Sequence, residues 1–401
     1  MLVLEYKIKA KTEQYKAIDE AIRTVQFVRN KCWRYWMDAG KEAKINSFAL
    51  NKYSTELRNE FDFVKALNSM AVQASAERAW FAISRFYGNC QAQKSGKKGF
   101  PCFQKDNRSV EYKTSGWTLH PTKRRITFTD KKGIGELKLL GKWEVHTYPV
   151  KTIKRVRLIR RADGYYCQFV VDIESTDIQP KTGNEIGLDV GLEWFYADSS
   201  GHHEPNPRFL KKPEPAIKHA QRRIYKKEKG SNNRRKARAR FSKKHLRVSR
   251  QRTEHASRLA RHVCKSNDLV AYEDLRVSNM LKNHCLASSI SDASWYQFRQ
   301  WIEYFVNKFG KIAVAVHPQY TSTECSQCKR VVKKSLSTRT HACQCGCVLS
   351  RDMNAAINIL LRAKTREGHS QSNAKGVGAS TLLGETLVEQ VLTVNLESPR
   401  L

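Results

Sequence analysis

Three carboxylates stand where predicted strands or helices begin or end. Asp189 follows the apolar residues of IGLDVGL, Glu273 closes the apolar run of LVAYEDL, and Asp352 opens the Ala/Asn/Ile-rich part of SRDMNAAINIL. A carboxylate inside an apolar strand needs a partner or a metal ion, because burying an unpaired charge is costly. Simpler interpretations exist for each acid. Asp189 can be a turn residue, Glu273 or Asp274 a solvated strand end, and Asp352 a charge that favours the positive end of the helix dipole.

Taken together, a strand Asp, a strand Glu and a helix Asp in this order are typical of a ribonuclease-H-like arrangement. Three hard oxygen ligands on one sheet can hold two Mg²⁺ ions, which keep several waters and accept a substrate phosphate as a bridging ligand. One metal then activates water, and the other stabilises the leaving oxygen of an in-line displacement. The acids therefore predict Mg²⁺-dependent phosphodiester chemistry with Asp189, Glu273 and Asp352 as catalytic, metal-binding residues.

A cluster of five cysteines lies within 23 residues, shortly before the last acid. Its members are Cys325, Cys328, Cys343, Cys345 and Cys347. Zinc prefers four thiolates in a tetrahedron, which two short cysteine turns can supply. We predict one structural Zn²⁺ bound by the Cys325–Cys328 pair and by Cys343 with Cys345, where Gly346 gives the backbone room to turn. Cys345 with Cys347 is the competing second pair, and free or redox-active thiols are the alternative to a metal.

The charge of the chain points to a polyanionic partner. The 401 residues include 73 Lys and Arg against 38 Asp and Glu, a net charge of +35. Such an excess indicates nucleic acid or an anionic membrane surface. No run of 18 apolar residues is present, so no membrane span is predicted. Nucleic acid is the favoured partner, with 19 Lys and Arg between residues 208 and 252 against only Glu214 and Glu228.

The remaining cysteines and the first residues bear on the compartment. Six of the eleven cysteines are scattered along the chain. An odd total argues against a disulfide framework, and the start MLVLEYKIKAKTEQ is too charged for a secretory signal. We therefore predict a reducing environment, cytoplasmic or nuclear.

The elements that must position these residues can be read from periodicity. In the first 180 residues, a strand over 2–10 precedes helical patterns, which extend to about residue 90. From about 100 to 178 the runs are short and alternating, and Ala-Asp-Gly at 162–164 predicts a hairpin turn. After a linker at 176–185, strands and helices alternate up to a helix at about 353–363. These patterns predict an α+β multidomain protein.

The motifs around the three acids and the cysteine cluster make the chain resemble a known family. It is similar to the TnpB family of insertion-sequence-encoded nucleases, which are ancestral to the CRISPR type V effectors. The similarity lies in three motifs, in the order IGLDVGL, YEDL and TSTECSQC…CQCGCVLSRDMNAAINIL. The resemblance is close over about residues 186–371, where GHSQSNAKG at 368 also fits, and loose over 1–180. The spacing of Cys343 and Cys345 departs from the commoner Cys-x-x-Cys.

The resemblance implies an RNA-guided DNA endonuclease that binds a guide RNA from its own locus and recognises a short motif beside a double-stranded DNA target. It places the Asp-Glu-Asp triad of a RuvC-like domain on Asp189, Glu273 and Asp352. It implies the following organisation: a wedge-like β-barrel at 1–10 and 94–180, a helical recognition insert at 11–93, a RuvC-like domain at 181–319 and 349–371, a zinc ribbon at 320–348 and a disordered tail at 372–401. A monomer is favoured over a dimer.

Three other functions remain open. A guide-bound DNA-binding protein without cleavage, such as a repressor, would be expected to lack one of the acids, and all three are present. A transposase that uses the same triad for strand transfer would be expected to carry a helix-turn-helix end-binding domain, which the helices of 11–93 do not clearly provide. A guide-free nuclease of the resolvase kind would not need the first 180 residues or this charge.

Overall fold

The computed structural model describes residues 2–40, 43–93, 96–142, 144–172, 177–335 and 338–365. The chain divides between residues 174 and 175 into two compact units. The predicted tail at 372–401 and the GHSQSNAKG motif lie outside the described residues.

The first unit is a seven-stranded antiparallel sheet with helices inserted after its first strand. Its elements in chain order are β1 (Leu2–Lys9), α1 (Thr12–Asp38), α2 (Ser47–Glu60), α3 (Asp62–Lys65), α4 (Ser69–Gln91), β2 (Ser109–Tyr112), β3 (Trp117–Leu119), β4 (Arg125–Phe128), β5 (Gly135–Leu140), β6 (Ile153–Arg161) and β7 (Gly164–Val171). The strand order is β2-β6-β7-β1-β5-β4-β3. Within the described residues, no ladder joins the edge strands β2 and β3.

Local sequence explains several of these elements. Apolar residues recur along α1 at helical spacing, and this stripe packs against α4 in a core that also contains residues of β1. The Asn46 side chain caps α2 by accepting a hydrogen bond from the Ala49 backbone N–H at 2.9 Å. The turn at Ala162-Asp163 joins β6 to β7, as its sequence predicts.

A buried ionic group stabilises this sheet. The Glu111 carboxylate on β2 is 2 % exposed. It forms ion pairs with the guanidinium groups of Arg78, at 3.4 Å, and of Arg155 and Arg157. Burial alone would raise the pKa of Glu111, but the three cations outweigh it and lower the pKa to about 2.

The second unit is a five-stranded mixed sheet with helices on both faces. Its elements are β8 (Glu185–Val190), β9 (Trp194–Asp198), β10 (His203–Pro205), α5 (Glu214–Tyr225), α6 (Asn232–Ser266), β11 (Leu269–Glu273), α7 (Val277–Met280), α8 (Ala287–Ala293), α9 (Trp295–Phe309), β12 (Ile312–Val316), β13 (Thr340–Ala342), β14 (Val348–Ser350) and α10 (Arg351–Lys364). The order is β10-β9-β8-β11-β12, and β8, β11 and β12 are parallel.

The alternation of side chains along the strands assigns the two faces of this sheet. Leu188, Val270 and Tyr272 pack with apolar residues of α6 and α9 on one face. Ala271 packs with Ile359 of α10 on the other face. The central strands are therefore covered on both sides, as parallel strands require.

Candidate functional site

Two of the predicted acids lie side by side on neighbouring parallel strands. The register pairs Gly187 of β8 with Ala271 of β11, and Leu188 with Tyr272. The next positions on the two strands are Asp189 and Glu273. Because side chains alternate along a strand, both carboxylates face the side on which α10 packs.

Helix α10 runs antiparallel to β8 across this face. A Cβ atom on Gly187 would lie 2.1 Å from the carbonyl oxygen of Ala356 and 2.9 Å from the Leu360 Cβ, so helix and strand touch there. One turn further along, Lys364 pairs with Glu185. One turn in the opposite direction, the first turn of α10 carries Asp352 above the Asp189 end of the strand.

The charges of the other two acids act on the buried Asp189 carboxyl. Burial raises the pKa of Asp189 well above its ordinary value, and the charges of Glu273 and Asp352 raise it further. Such mutual repulsion is relieved when a divalent cation binds between the groups. The donor set of three carboxylates fits Mg²⁺, which prefers oxygen ligands.

The structure separates Glu273 from its acidic neighbour. Burial raises the pKa of Glu273, while the Thr321 hydroxyl donates a hydrogen bond to its carboxylate at 2.6 Å and lowers that pKa. The Asp274 side chain is 60 % exposed and pairs with Arg299 of α9. Glu273, and not Asp274, therefore shares the face of Asp189.

An arginine that sequence reasoning missed lies beside the acids. Arg339 places its guanidinium 2.8 Å from the Glu193 carboxylate and 3.8 Å from that of Asp352. It reaches this position because its carbonyl accepts a hydrogen bond from the Arg351 backbone N–H at the start of α10. Its place in the cysteine-rich segment gave no signal of a role near the acids.

Four of the five clustered cysteines come together as a candidate metal centre. The Sγ atoms of Cys325, Cys328, Cys343 and Cys345 all lie within 4.8 Å of one another. The Cys325–Cys345 and Cys328–Cys343 Sγ distances are 3.7 and 3.5 Å. Four thiolates at about 2.3 Å from one zinc ion are about 3.8 Å apart, so this set fits tetrahedral Zn²⁺.

The backbone of both cysteine turns supports the same set. Lys329 and Gly346, which follow the second cysteine of each pair, both have left-handed φ values of 63° and 87°. The Lys329 N–H donates to the Cys325 carbonyl, and the Gly346 N–H donates to the Cys343 carbonyl. The second turn is therefore a version of the first that is one residue shorter, which accounts for its Cys-x-Cys spacing.

The fifth cysteine lies on the buried side of the cluster. Cys347 and His341 are both buried and form a second group with Cys325. Burial raises the pKa of Cys325, but hydrogen bonds from the backbone N–H groups of Cys328 and Gln327 and with the side chains of His341 and Cys345 together lower it to about 5. A thiolate at neutral pH is the form that binds zinc.

Basic residues are concentrated on α5 and α6. Every residue from 232 to 245 is exposed or half-buried, and this stretch is rich in Lys and Arg. Further along α6, Ala256, Ala260 and Val263 are buried in the core shared with α9. The N-terminal part of α6 thus presents cations to solvent, a feature that suits a phosphate backbone.

Aromatic residues of the first unit divide into core and surface. Trp33 is buried, whereas Phe100 and Phe103 are 53 % and 44 % exposed.

Among the described helices, none combines the length and the apolar character needed to cross a membrane.

Comparison with known proteins gives two family matches. The model described as "Probable transposase" matches residues 168–284, and the model "Cas12f1-like, TNB domain" matches residues 295–359. The first therefore contains two of the three acids, and the second contains the cysteine cluster and Asp352.

Two curated relatives have names that state an activity. A Streptomyces pristinaespiralis protein named "Putative RNA-guided DNA endonuclease" is 28% identical over 364 residues, which cover 89% of this chain and 88% of the relative. An Escherichia coli protein, "Putative RNA-guided DNA endonuclease InsQ", is 30% identical over 226 residues, or 52% of this chain and 56% of the relative.

One solved structure has a similar fold. The Cas12f1 chain of a Cas12f1–sgRNA–target DNA complex superposes with a TM-score of 0.50 at 14% identity, covering 86% of this chain and 81% of that chain. This likeness confirms the predicted α+β multidomain fold.

Proposed function

Because this chain belongs to the TnpB family, we propose that it is an RNA-guided DNA endonuclease of a transposable element. The convergence of Asp189, Glu273 and Asp352 on one face of the mixed sheet carries the proposal. The names of the two relatives support the guided activity, and the net charge of +35 supports binding of both RNA and DNA.

We assign the acids as the ligands of the catalytic ions. Asp189, Glu273 and Asp352 would hold two Mg²⁺, which when bound supply an activated water and neutralise charge on the leaving oxygen. Arg339, beside Asp352 and Glu193, would place a guanidinium against the substrate phosphate. The exposed cations of α6 would hold the nucleic-acid backbone without reading its sequence.

The remaining parts are assigned by the family. The cysteines Cys325, Cys328, Cys343 and Cys345 would bind one structural Zn²⁺ that fixes the ribbon next to α10. The proposed domains are a wedge-like β-barrel at 1–10 and 94–180, a helical recognition insert at 11–93, a RuvC-like domain at 181–319 and 349–371, and the ribbon at 320–348. The partners are a guide RNA from the element's own locus and double-stranded target DNA, bound by a monomer.

The test begins with the protein expressed together with the DNA that flanks its gene, followed by sequencing of the RNA that co-purifies. The complex then receives Mg²⁺ and a plasmid library that matches this RNA beside a randomised flank. We expect cleavage next to one enriched flank motif, and loss of cleavage in Asp189→Ala and Glu273→Ala.

Asp274→Ala is the matched control, because it removes an adjacent acid that pairs with Arg299 outside the site. It is expected to cleave like the parent. Motif-dependent binding without cleavage would favour the repressor. Absence of a defined RNA would favour the transposase or a guide-free nuclease and would refute the proposal.

A further inference from the structure

Helix α10 carries a ladder of polar residues on the side that meets the first cysteine turn. Asn354, Asn358 and Arg362 follow one another at intervals of four residues, so they lie on one side of the helix. Both asparagines are fully buried. Buried amides persist only where their hydrogen bonds are made, so these side chains mark a specific contact.

The two asparagines hold the segment that leads into the first cysteine turn. Asn354 accepts a hydrogen bond from the Ser326 N–H at 2.9 Å and donates to the Glu324 carbonyl at 2.8 Å. Asn358 donates to the Glu324 carbonyl at 2.7 Å and to the Thr321 carbonyl at 3.0 Å. Ser326 lies between Cys325 and Cys328, so the ladder is hydrogen-bonded to the cysteine turn itself.

Arg362 extends the ladder by one further turn of the helix. Its guanidinium donates to the carbonyls of His317 and Gln319 at 3.1 and 2.5 Å, and it pairs with the Glu324 carboxylate at 2.6 Å. The segment from residue 317 to residue 326 is thus fixed to α10 at several points.

A residue in the middle of this segment, Thr321, contacts the acid site. Thr321 is 3 % exposed, and its hydroxyl donates to the Glu273 carboxylate at 2.6 Å. Its backbone is held at the same time by Asn358. The hydroxyl therefore has a fixed position from which it orients one of the three carboxylates.

We propose that Thr321 is a positioning residue for Glu273 and that zinc in the cysteine cluster, through the α10 ladder, keeps Thr321 in place. The inference rests on the proposed function, since it concerns the same acids. Closing the Cys325–Cys328 turn on zinc fixes Ser326 and Glu324, which fixes the path of the chain to Thr321. Loss of zinc releases this path and leaves the Glu273 carboxylate free to rotate.

The coupling predicts a change in affinity for a divalent cation that is independent of nucleic acid. The probe is Mn²⁺, and its binding to the full-length, zinc-loaded chain is measured by electron paramagnetic resonance of the free ion. Groups that orient a metal ligand typically contribute 10–100-fold to affinity. We expect Thr321→Val, which keeps the side-chain shape, to weaken Mn²⁺ binding by about 10–100-fold.

Two controls accompany this variant. Thr321→Ser keeps the hydroxyl and is expected to bind Mn²⁺ like the parent. Thr323→Val makes the same chemical change two residues away, where the hydroxyl donates to the Tyr320 carbonyl at 3.4 Å and not to a carboxylate of the described acids. It is also expected to bind like the parent.

A double-mutant cycle tests the role of zinc. Cys328→Ser, which removes a zinc ligand, is expected to weaken Mn²⁺ binding about as much as Thr321→Val. Because both act through the same contact, the double variant should bind no more weakly than either single one.

Three results would overturn the inference. In the first, Thr321→Val binds Mn²⁺ like the parent. This result would refute the inference whatever the cysteine variant shows. In the second, the losses in the double variant multiply as independent effects do. In the third, Asp189→Ala leaves Mn²⁺ binding unchanged, which would refute the acidic metal site itself and the proposed function with it.

Discussion

Replacing Gly187 by alanine tests the contact that sets the geometry of the acid site. The new Cβ would lie 2.1 Å from the Ala356 carbonyl oxygen and 2.9 Å from the Leu360 backbone N. An ordinary contact between such atoms needs about 3.5 Å. Both obstacles belong to the helix backbone or lie next to it, so no side-chain rotation can relieve the clash. The helix must therefore move away from β8 by about 1.4 Å.

This displacement has two measurable consequences. Overpacking of this kind costs about 1–3 kcal/mol, which urea unfolding of the full chain would detect. Asp352, which we propose as a ligand of the catalytic ions, moves with the first turn of α10, and a misplacement of about 1 Å in such a group costs about 100-fold in rate. We therefore expect Gly187→Ala to lower the cleavage rate by about two orders of magnitude and to weaken Mn²⁺ binding.

Gly88→Ala is the matched control, because Gly88 lies in α4, where the added Cβ would meet nothing in the described structure within 4 Å beyond its own helical turn. It should stabilise the chain by up to about 1 kcal/mol, since alanine favours helix more than glycine does. If Gly187→Ala keeps the stability, Mn²⁺ affinity and cleavage rate of the parent, the close contact of α10 with β8 does not position Asp352.

Three further perturbations follow from the charges and thiols. Asp189→Asn should raise the free energy of unfolding at pH 7 without divalent ions. Because the pKa of Asp189 is raised in the folded state, its ionised carboxylate costs the parent stability. The gain in the variant should therefore shrink as the pH falls towards about 4. Equal urea midpoints of parent and variant at pH 7 would contradict this. Cys345→Ser should lose bound zinc, whereas Cys347→Ser should keep one zinc per chain, as elemental analysis would show; the reverse result would make Cys347 the ligand. Glu111→Gln should destabilise the chain by about 3–5 kcal/mol at neutral pH, because it leaves three guanidinium groups without their buried carboxylate. With the pKa of Glu111 lowered to about 2, the stability it provides is present above its unfolded pKa of about 4 and is lost as the pH falls towards 2, so parent and variant should converge in acid urea titrations.

Sequence patterns predicted the elements that carry the site because these patterns depend on local physics. The strand before Glu273, the helix after Asp352 and the β6–β7 turn follow from periodicity, caps and turn residues acting over a few positions. The pairing of Cys325 with Cys328 likewise follows from spacing. The roles of these residues in catalysis and zinc binding remain predictions.

The resemblance placed the second acid of the triad on Glu273 rather than on its neighbour Asp274. Both are carboxylates at the end of the same strand, and composition does not distinguish them. The parallel register of β8 and β11 decides, because a shift of one residue moves a side chain to the opposite face of the sheet.

Contacts between distant residues were beyond any local pattern. Thr321 lies 48 residues from Glu273, and Arg339 comes from the cysteine-rich segment to reach Asp352 and Glu193. Asn354 and Asn358 look like ordinary helix residues in the sequence, and only the folded structure shows their complete burial and their hydrogen bonds to Ser326 and Glu324. Chemical type and spacing thus determined which groups were available, whereas strand register and helix packing decided which of them meet, because those contacts depend on the whole folded core.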